Sequence, residues 1–259
     1  KNDTACFAAY QEHFNEVVKP THDKFNVFLA QCDEEPYPIG EFFEASPHMN
    51  LLLYPESVKF KRATALDPTR FQYLEGCVRD ESAFEVPTFK ANNDAPLLYV
   101  SFGSLGSGDT VLLKRLMEVI AAIPVRALFN VGDYESEYDA VPDNIQIASW
   151  YPQPSVISQA DAVIHHGGNN SFNECLYFGK PALIMPYVWD GHDNAKRVTE
   201  TGHGFHLHRN DWTPDELRAC IDSMLTNKKL HERLHATSAH MRSEDGPTKA
   251  AEILDRLVS

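Results

Sequence analysis

Residues 161–179, DAVIHHGGNNSFNECLYFG, set the reading of the whole chain. Residues 161–165 have the length and continuity of a buried strand, two glycines follow, and 170–178 carry a helical pattern with Gly179 placed as its C-cap. A strand that passes through a glycine turn into a helix is half of a parallel β–α–β unit. The pattern repeats in both directions. Upstream, the apolar run 97–102 leads into a Gly/Ser turn and a helix over 109–123, and 125–131 and 145–150 read as strands. Downstream, 182–186 is a strand, 193–201 a helix stopping at Gly202, and 205–208 the last strand, with helices from Pro214, Lys228 and Thr248. Strands that are continuously apolar and separated by helices predict a parallel sheet covered on both faces. From residue 96 onward the expected fold class is α/β, doubly wound.

Residues 1–93 differ in texture. The pattern predicts an amphipathic helix over 6–30 broken near Pro20, and a short helical piece around Phe42. Strands follow at 49–54 and 71–77, with a basic loop over 59–62 between them and a linker punctuated by Pro, Asn and Asp over 86–96.

In doubly wound sheets ligands bind beyond the C-terminal strand ends, so the chemistry is expected after residues 102, 150, 165 and 186. In the third of these segments Gly167 and Gly168 let backbone approach a ligand, and the amides opening the next helix favour a phosphate. His166 adds a donor, and Glu174, one turn into the helix, can accept from the 2′ and 3′ hydroxyls of a ribose. The same Ser171-x-x-Glu174 spacing also fits a capping box. Trp150-Tyr151-Pro152-Gln153 offers an indole face to a nucleobase, or a packing anchor to the core. Asp190 can accept from sugar hydroxyls or, like Asp193, cap a helix. The turn Ser101-Phe102-Gly103-Ser104-Leu105-Gly106-Ser107-Gly108 can contact phosphate, but its glycines do not follow the dinucleotide fingerprint and no ribose-binding acid follows at the required interval. No Walker Gly-Lys-Ser/Thr occurs either.

The bulk composition narrows the ligand. With 259 residues, 43% hydrophobic, the chain has ample material for a core. Its 37 Asp and Glu against 23 Lys and Arg give a charge of −14, and no basic run offers a face to nucleic acid or an anionic membrane. Any nucleotide is therefore expected as a small molecule. The five cysteines are scattered, which argues against a disulfide framework or zinc ribbon and fits a reducing, cytoplasmic setting. There is no signal-peptide pattern, and no apolar stretch approaches the roughly 20 residues of a membrane span. The start at Lys1, directly before a helical pattern, suggests a fragment, a processed form or a trimmed chain.

Taken in order, Trp-x-Pro-Gln at 150–153, His-x-Gly-x-Asn-Ser-x-x-Glu at 166–174 and Pro-x-x-x-Asp-x-x-x-Asn-Ala at 186–195 resemble a known signature. It is the donor-binding signature of the glycosyltransferases that include plant UDP-dependent enzymes and bacterial macrolide and antibiotic glycosyltransferases. Residues 98–104 look like the first strand and loop of their C-terminal domain. The motifs carry the resemblance from 96 to about 204, and layout carries the rest. It implies a GT-B fold, with 94–246 the complete Rossmann-like nucleotide-sugar domain and 1–93 the later part of an N-terminal acceptor domain and its linker. Residues 247–259 would be a C-terminal helix returning to the acceptor domain. The implied reaction is inverting transfer of a hexose from a UDP- or dTDP-sugar to a hydroxyl of a small lipophilic acceptor, with no cofactor and no required metal.

Carried over position by position, Trp150 would stack on the base and Gln153 border the nucleoside. Ser104, His166, Gly168, Asn170 and Ser171 would hold the diphosphate, Glu174 the ribose, and Asp190 and Gly191 the transferred sugar. Two positions depart from the pattern: Asn169 replaces the Trp of the plant version, and Gly191 stands where an amide or imidazole usually touches the sugar. The family's general base, a His in the first loop of the acceptor domain, is expected before Lys1, so this chain alone is expected to bind a donor without transferring its sugar. A sugar-nucleotide epimerase of similar two-domain build and a non-catalytic nucleotide-sugar-binding module are the alternatives.

Other histidines are expected to be structural. His231-Glu232-Arg233-Leu234-His235 matches the helical zinc-protease pattern, but nothing downstream is placed as a third ligand, and Leu230, Leu234 and Met241 form a plain apolar stripe. His203, His206 and His208 read as strand residues near a rim. His13 and His22 fall in the first helical stretch.

Overall fold

A computed structural model describes residues 4–43 and 46–258, which divide between a unit Lys1–Asn50 and a unit Leu51–Ser259. The first unit is built on α1 (Thr4–Gln31), which runs through Pro20 instead of breaking there. Proline removes one helical hydrogen bond, and here both Pro20 and Glu16, whose carbonyl is freed, are exposed. Water can satisfy that carbonyl, so the helix continues. In its second half Asn26 exchanges two hydrogen bonds with the backbone of Tyr37 (3.1 and 3.0 Å), while Phe25 packs on Tyr37 and Phe42. No helix forms over 41–43, where a short helical piece was expected; 44–45 lie outside the described residues. Aromatic packing holds this stretch without a helical ladder.

The second unit opens with β1 (Asn50–Leu52), which pairs with β2 (Phe71–Tyr73). Then β3 (Leu97–Ser101), α2 (Gly103–Gly106), α3 (Thr110–Ala121), β4 (Arg126–Asn130), β5 (Ile145–Ala148), α4 (Gln153–Gln159) and β6 (Ala162–His165) follow. The chain continues through α5 (Asn169–Tyr177), β7 (Ala182–Ile184), α6 (Asp190–Thr201), β8 (Gly204–His206), α7 (Pro214–Thr226), α8 (Lys228–Ser243) and α9 (Gly246–Val258). The expected alternation is present from β3 onward, with strand ends shifted by a residue or two, while β2 stops at Tyr73, four residues short of the expected end. The short α2, inside the Gly/Ser turn, and α4 had no counterpart in the pattern.

All six strands β3–β8 are parallel, in the order β5-β4-β3-β6-β7-β8. The chain moves outward from β3 to β5, then returns to lay β6 against the other side of β3, with Ser101 opposite His165. Every residue of β3 and β6 is buried because helices cover both faces. Leu98, Val100 and Phe129 pack with Leu113, Leu116 and Ile120 of α3 and with Leu217 and Ile221 of α7. Leu97, Tyr99, Leu128 and Val163 pack on the opposite face with Val156 and Ile157 of α4. Each such side chain contributes roughly 1.5–3 kcal/mol when fully buried. A third cluster joins Phe172 and Leu176 of α5, Ala195 and Val198 of α6, and Leu230, Leu234 and Met241 of α8. The apolar stripe in the zinc-protease pattern is thus part of the core.

Residues before the sheet are fastened to this unit. Ser155 Oγ donates to the Ser82 carbonyl (2.7 Å), Gln159 Nε2 to that of Phe84 (2.9 Å), and Phe89 is buried beside Tyr99 and Leu128. This run of backbone brings Arg79 to the ends of the strands.

Candidate functional site

The site begins where β3 and β6 lie side by side, since the two chains leave the sheet there in opposite directions and open a crevice. A cleft of about 680 Å³ occupies this point. Of the residues singled out in the sequence, Ser104, Trp150, Gln153, His166, Gly168, Asn170, Ser171 and Asp190 line it. They come from the ends of β3, β5 and β6 and from the first residue of α6, so the fold brings four separate segments to one wall. Glu174 and Gly191 do not line it.

Gly168 is the N-cap of α5 and has no side chain of its own to close that helix end. Ser171 and Glu174 therefore lie inside the helix and form no capping box. Ser171 Oγ accepts from Gln153 Nε2 (3.1 Å), and Glu174 Oε2 accepts from the same nitrogen (2.5 Å). The first turn of α5 faces the cleft, and a helix N-terminus favours an anion. Asp190 does not cap its own helix either: its Oδ2 accepts from the Asn169 N–H (2.9 Å), tying α6 to the start of α5.

The glycines are required by close approach. Gly167 has φ +87, and a Cβ there would stand 2.7 Å from Ile184 Cγ2 and 2.9 Å from Gly191 Cα. A Cβ on Gly168 would meet His166 Nε2 at 2.4 Å. Gly191 is buried, and a Cβ there would stand 2.6 Å from the His166 carbonyl, so the position where the resemblance implies an amide or imidazole has no room for one here. Asn194 fixes the loop from behind by donating to the Gly167 carbonyl (2.9 Å), and it accepts in turn from Arg197 (2.9 Å).

Burial lowers the pKa of His166, partly offset by the nearby Asp190 carboxylate and the Ser101 backbone. Its Nδ1 is buried without a partner among the described residues. A neutral imidazole with an unmatched polar atom is suited to a hydrogen bond with a ligand. Trp150 is 62% exposed, which removes the packing-anchor reading and leaves its indole free to stack. Burial also raises the Glu174 carboxyl, which Gln153 and Arg79 pull back toward the ionised form.

Several participants were not singled out in the sequence. Ser107, Asn130, Gly132 and Tyr134 line the cleft from the turns after β3 and β4. Applying the strand-end rule to β4 as well would have found the last three. Trp189, next to Asp190 but not lining the cleft, is 80% exposed and sits at φ +53, ψ −131, a sparsely populated conformation that costs a non-glycine residue roughly 1–3 kcal/mol. Arg79 carried no local signal at all. A larger cavity of about 1200 Å³, lined by Lys59, Lys61, Arg62 and Lys196, lies along another face of α6. It lacks a glycine turn, so the strand-end cleft is the candidate.

Two other histidines hold hydrogen bonds inside the fold. His22 Nε2 donates to the Glu41 carbonyl (3.1 Å) inside the first unit. His203 bridges the hydroxyls of Thr201 (2.8 Å) and Thr237 (2.9 Å). Among the described residues no three His, Cys, Asp or Glu are grouped to hold a metal ion. Burial, with His166 alongside, pushes His165 down to about 3, and burial pushes His203 down to about 4, both below the usual value of 6.5. Below pH 6.5 the unfolded chain takes up protons at these sites that the folded chain refuses, so stability falls with pH. The expected slope is about 1.4 kcal/mol per pH unit for each fully suppressed histidine. Denaturant midpoints between pH 7 and 4.5 should decline, and less steeply in His165→Asn; equal slopes would contradict the assignment for His165.

Comparison with known proteins shows what the chain as a whole is similar to. The model of the family described as "Erythromycin biosynthesis protein CIII-like, C-terminal domain" matches residues 112–257. The NDP-glycosyltransferase YjiC of Bacillus subtilis is 25% identical over 248 residues, covering 94% of this chain and 62% of the relative. This chain therefore spans less than two thirds of that relative. Among solved structures, the glycotransferase of kitacinnamycin superposes with a TM-score of 0.78 at 24% identity, covering 96% of this chain and 66% of that one. The glycosyltransferase VinC in complex with dTDP gives 0.64 at 18% identity, covering 80% and 51%. The fold is that of the GT-B glycosyltransferases.

Proposed function

The chain belongs to the erythromycin biosynthesis protein CIII-like C-terminal domain family, and on that premise we propose that its larger unit holds the nucleotide sugar of an inverting glycosyltransferase. The donor is a UDP- or dTDP-sugar, and the complete protein moves its hexose to a hydroxyl of a small lipophilic acceptor in the cytoplasm. One observation carries this reading: the start of α5, with a glycine at its N-cap and its Asn169 amide held by Asp190, faces a cleft at the switch point between β3 and β6. The dTDP in the VinC complex adds support for a nucleoside diphosphate.

Trp150 stacks on the base, with Gln153 at the edge of the nucleoside. The amides at the start of α5, with Ser104, His166, Gly168, Asn170 and Ser171, hold the diphosphate, Glu174 takes the ribose, and Asp190 the sugar. Gly191 shapes the sugar subsite through its backbone. In the reaction the acceptor oxygen forms a bond to the anomeric carbon as the bond to the β-phosphate oxygen breaks; the electron pair leaves with the diphosphate and the proton passes to a base. Fixed dipoles aimed at the leaving group lower the barrier because they need no reorganisation as charge develops. No residue of this chain is proposed as that base, and no metal is required.

Calorimetric titration with UDP and with dTDP tests the reading. Binding of at least one is expected, and Trp150→Ala should weaken it about 5- to 100-fold, the value of a lost base–aromatic stack. Failure of the wild type to bind either nucleotide would overturn the proposal.

A further inference from the structure

Arg79 separates Glu174 from the cleft that it serves. The Glu174 side chain is only 3% exposed, and it lines a separate cavity of about 160 Å³ with Leu74, Gly76 and Asn173. Arg79 lines both that cavity and the cleft. Its Nη1 donates to Glu174 Oε1 (2.9 Å), while Gln153 Nε2 donates to Oε2 (2.5 Å). Each carboxylate oxygen thus already accepts one hydrogen bond from a side chain that borders the cleft.

A ribose diol presents two O–H donors. Arg79 and Gln153 present two N–H donors to the same two oxygens, so they stand where the diol has to bind. Arg79 is free to leave. Its side chain is 49% exposed, it belongs to the irregular segment 77–89, and its Nε donates to Glu81 Oε1 (2.7 Å). When Nη1 lets go of Glu174, the guanidinium keeps a carboxylate partner.

We propose that Arg79 is a latch on the ribose carboxylate, holding Glu174 shut in the free protein and yielding it to a nucleotide by moving over to Glu81. This rests on the reading of Glu174 as the ribose acceptor. A latched state lowers the apparent affinity by the fraction of molecules that are open. Removing the latch therefore tightens the binding of a nucleotide that uses Glu174. It leaves unchanged a nucleotide that has no hydroxyl to offer there.

The test is calorimetry with UDP, dTDP and their 2′,3′-dideoxy counterparts on wild type, Arg79→Gln and Arg79→Lys, with melting curves as the folding control. Arg79→Gln should bind the hydroxyl-bearing nucleotides about 3- to 10-fold more tightly, with the dideoxy forms unchanged within twofold. Arg79→Lys, which keeps the charge but loses the fork, should gain less; should Arg79→Gln melt early, this variant alone decides by whether it tightens. Unchanged or weaker binding of UDP and dTDP by a folded variant would overturn the latch. Wild type that binds neither nucleotide would instead sink the proposed site itself.

Discussion

Glu174→Ala is expected to weaken UDP binding about 10- to 100-fold, the loss of one or two hydrogen bonds to a charged acceptor at about 1.5–3 kcal/mol each. The effect should be large because Glu174 is buried and directional. Its two oxygens sit one turn into α5, and burial has already removed most of the competing water. It should also depend on the nucleotide. dTDP lacks the 2′ hydroxyl, so it forfeits less than UDP when the carboxylate is removed, and the preference between the two should shift toward dTDP. The half-exposed Arg79 left behind can still pair with Glu81, so little stability should be lost with the carboxylate. Calorimetry reads both quantities. Equal UDP affinity in variant and wild type would remove Glu174 from the site.

Gly167→Ala should be the most damaging small substitution in the site. The backbone there is left-handed at φ +87, which costs an L side chain roughly 1–2 kcal/mol. The added methyl also meets two rigid neighbours, Ile184 and the Gly191 backbone, under 3.0 Å. Overpacking of that kind adds roughly 1–3 kcal/mol. The sum, about 2–5 kcal/mol, lowers Tm by about 5–15 °C for a unit of this size. Nucleotide binding should fall with it, because the same loop positions the start of α5. Gly108→Ala is the control: its Cβ would face only the ring of Tyr134, a side chain that can give way, and the change should stay under about 1 kcal/mol. Matching Tm values for the two variants would refute the argument from close approach.

The outcome at Pro20 shows why local rules are conditional. Proline removes a hydrogen bond wherever it stands, but whether the helix breaks depends on what surrounds the freed carbonyl. The run Ser171-x-x-Glu174 shows the same dependence. Spacing alone allowed a capping box or a ligand site, and the choice turned on where α5 begins, which the backbone at Gly168 fixes.

Most strands and helices from residue 97 onward were legible in the sequence, because burial on two faces demands continuous apolar runs and most of these helices carry their own period and stop signals. It also placed most of the cleft, since parallel strands always end on the same side of a sheet. What meets there depends on contacts between residues far apart in the chain. Arg79 reaches Glu174 across 95 residues through packing of segment 82–89 on the sheet, and no local pattern encodes such a pairing. At Gly191 the approach of the His166 carbonyl leaves no room for a side chain, which nothing in the local sequence shows. Backbone geometry is legible from neighbours in sequence; contacts fixed by the placing of β6 against β3 are not.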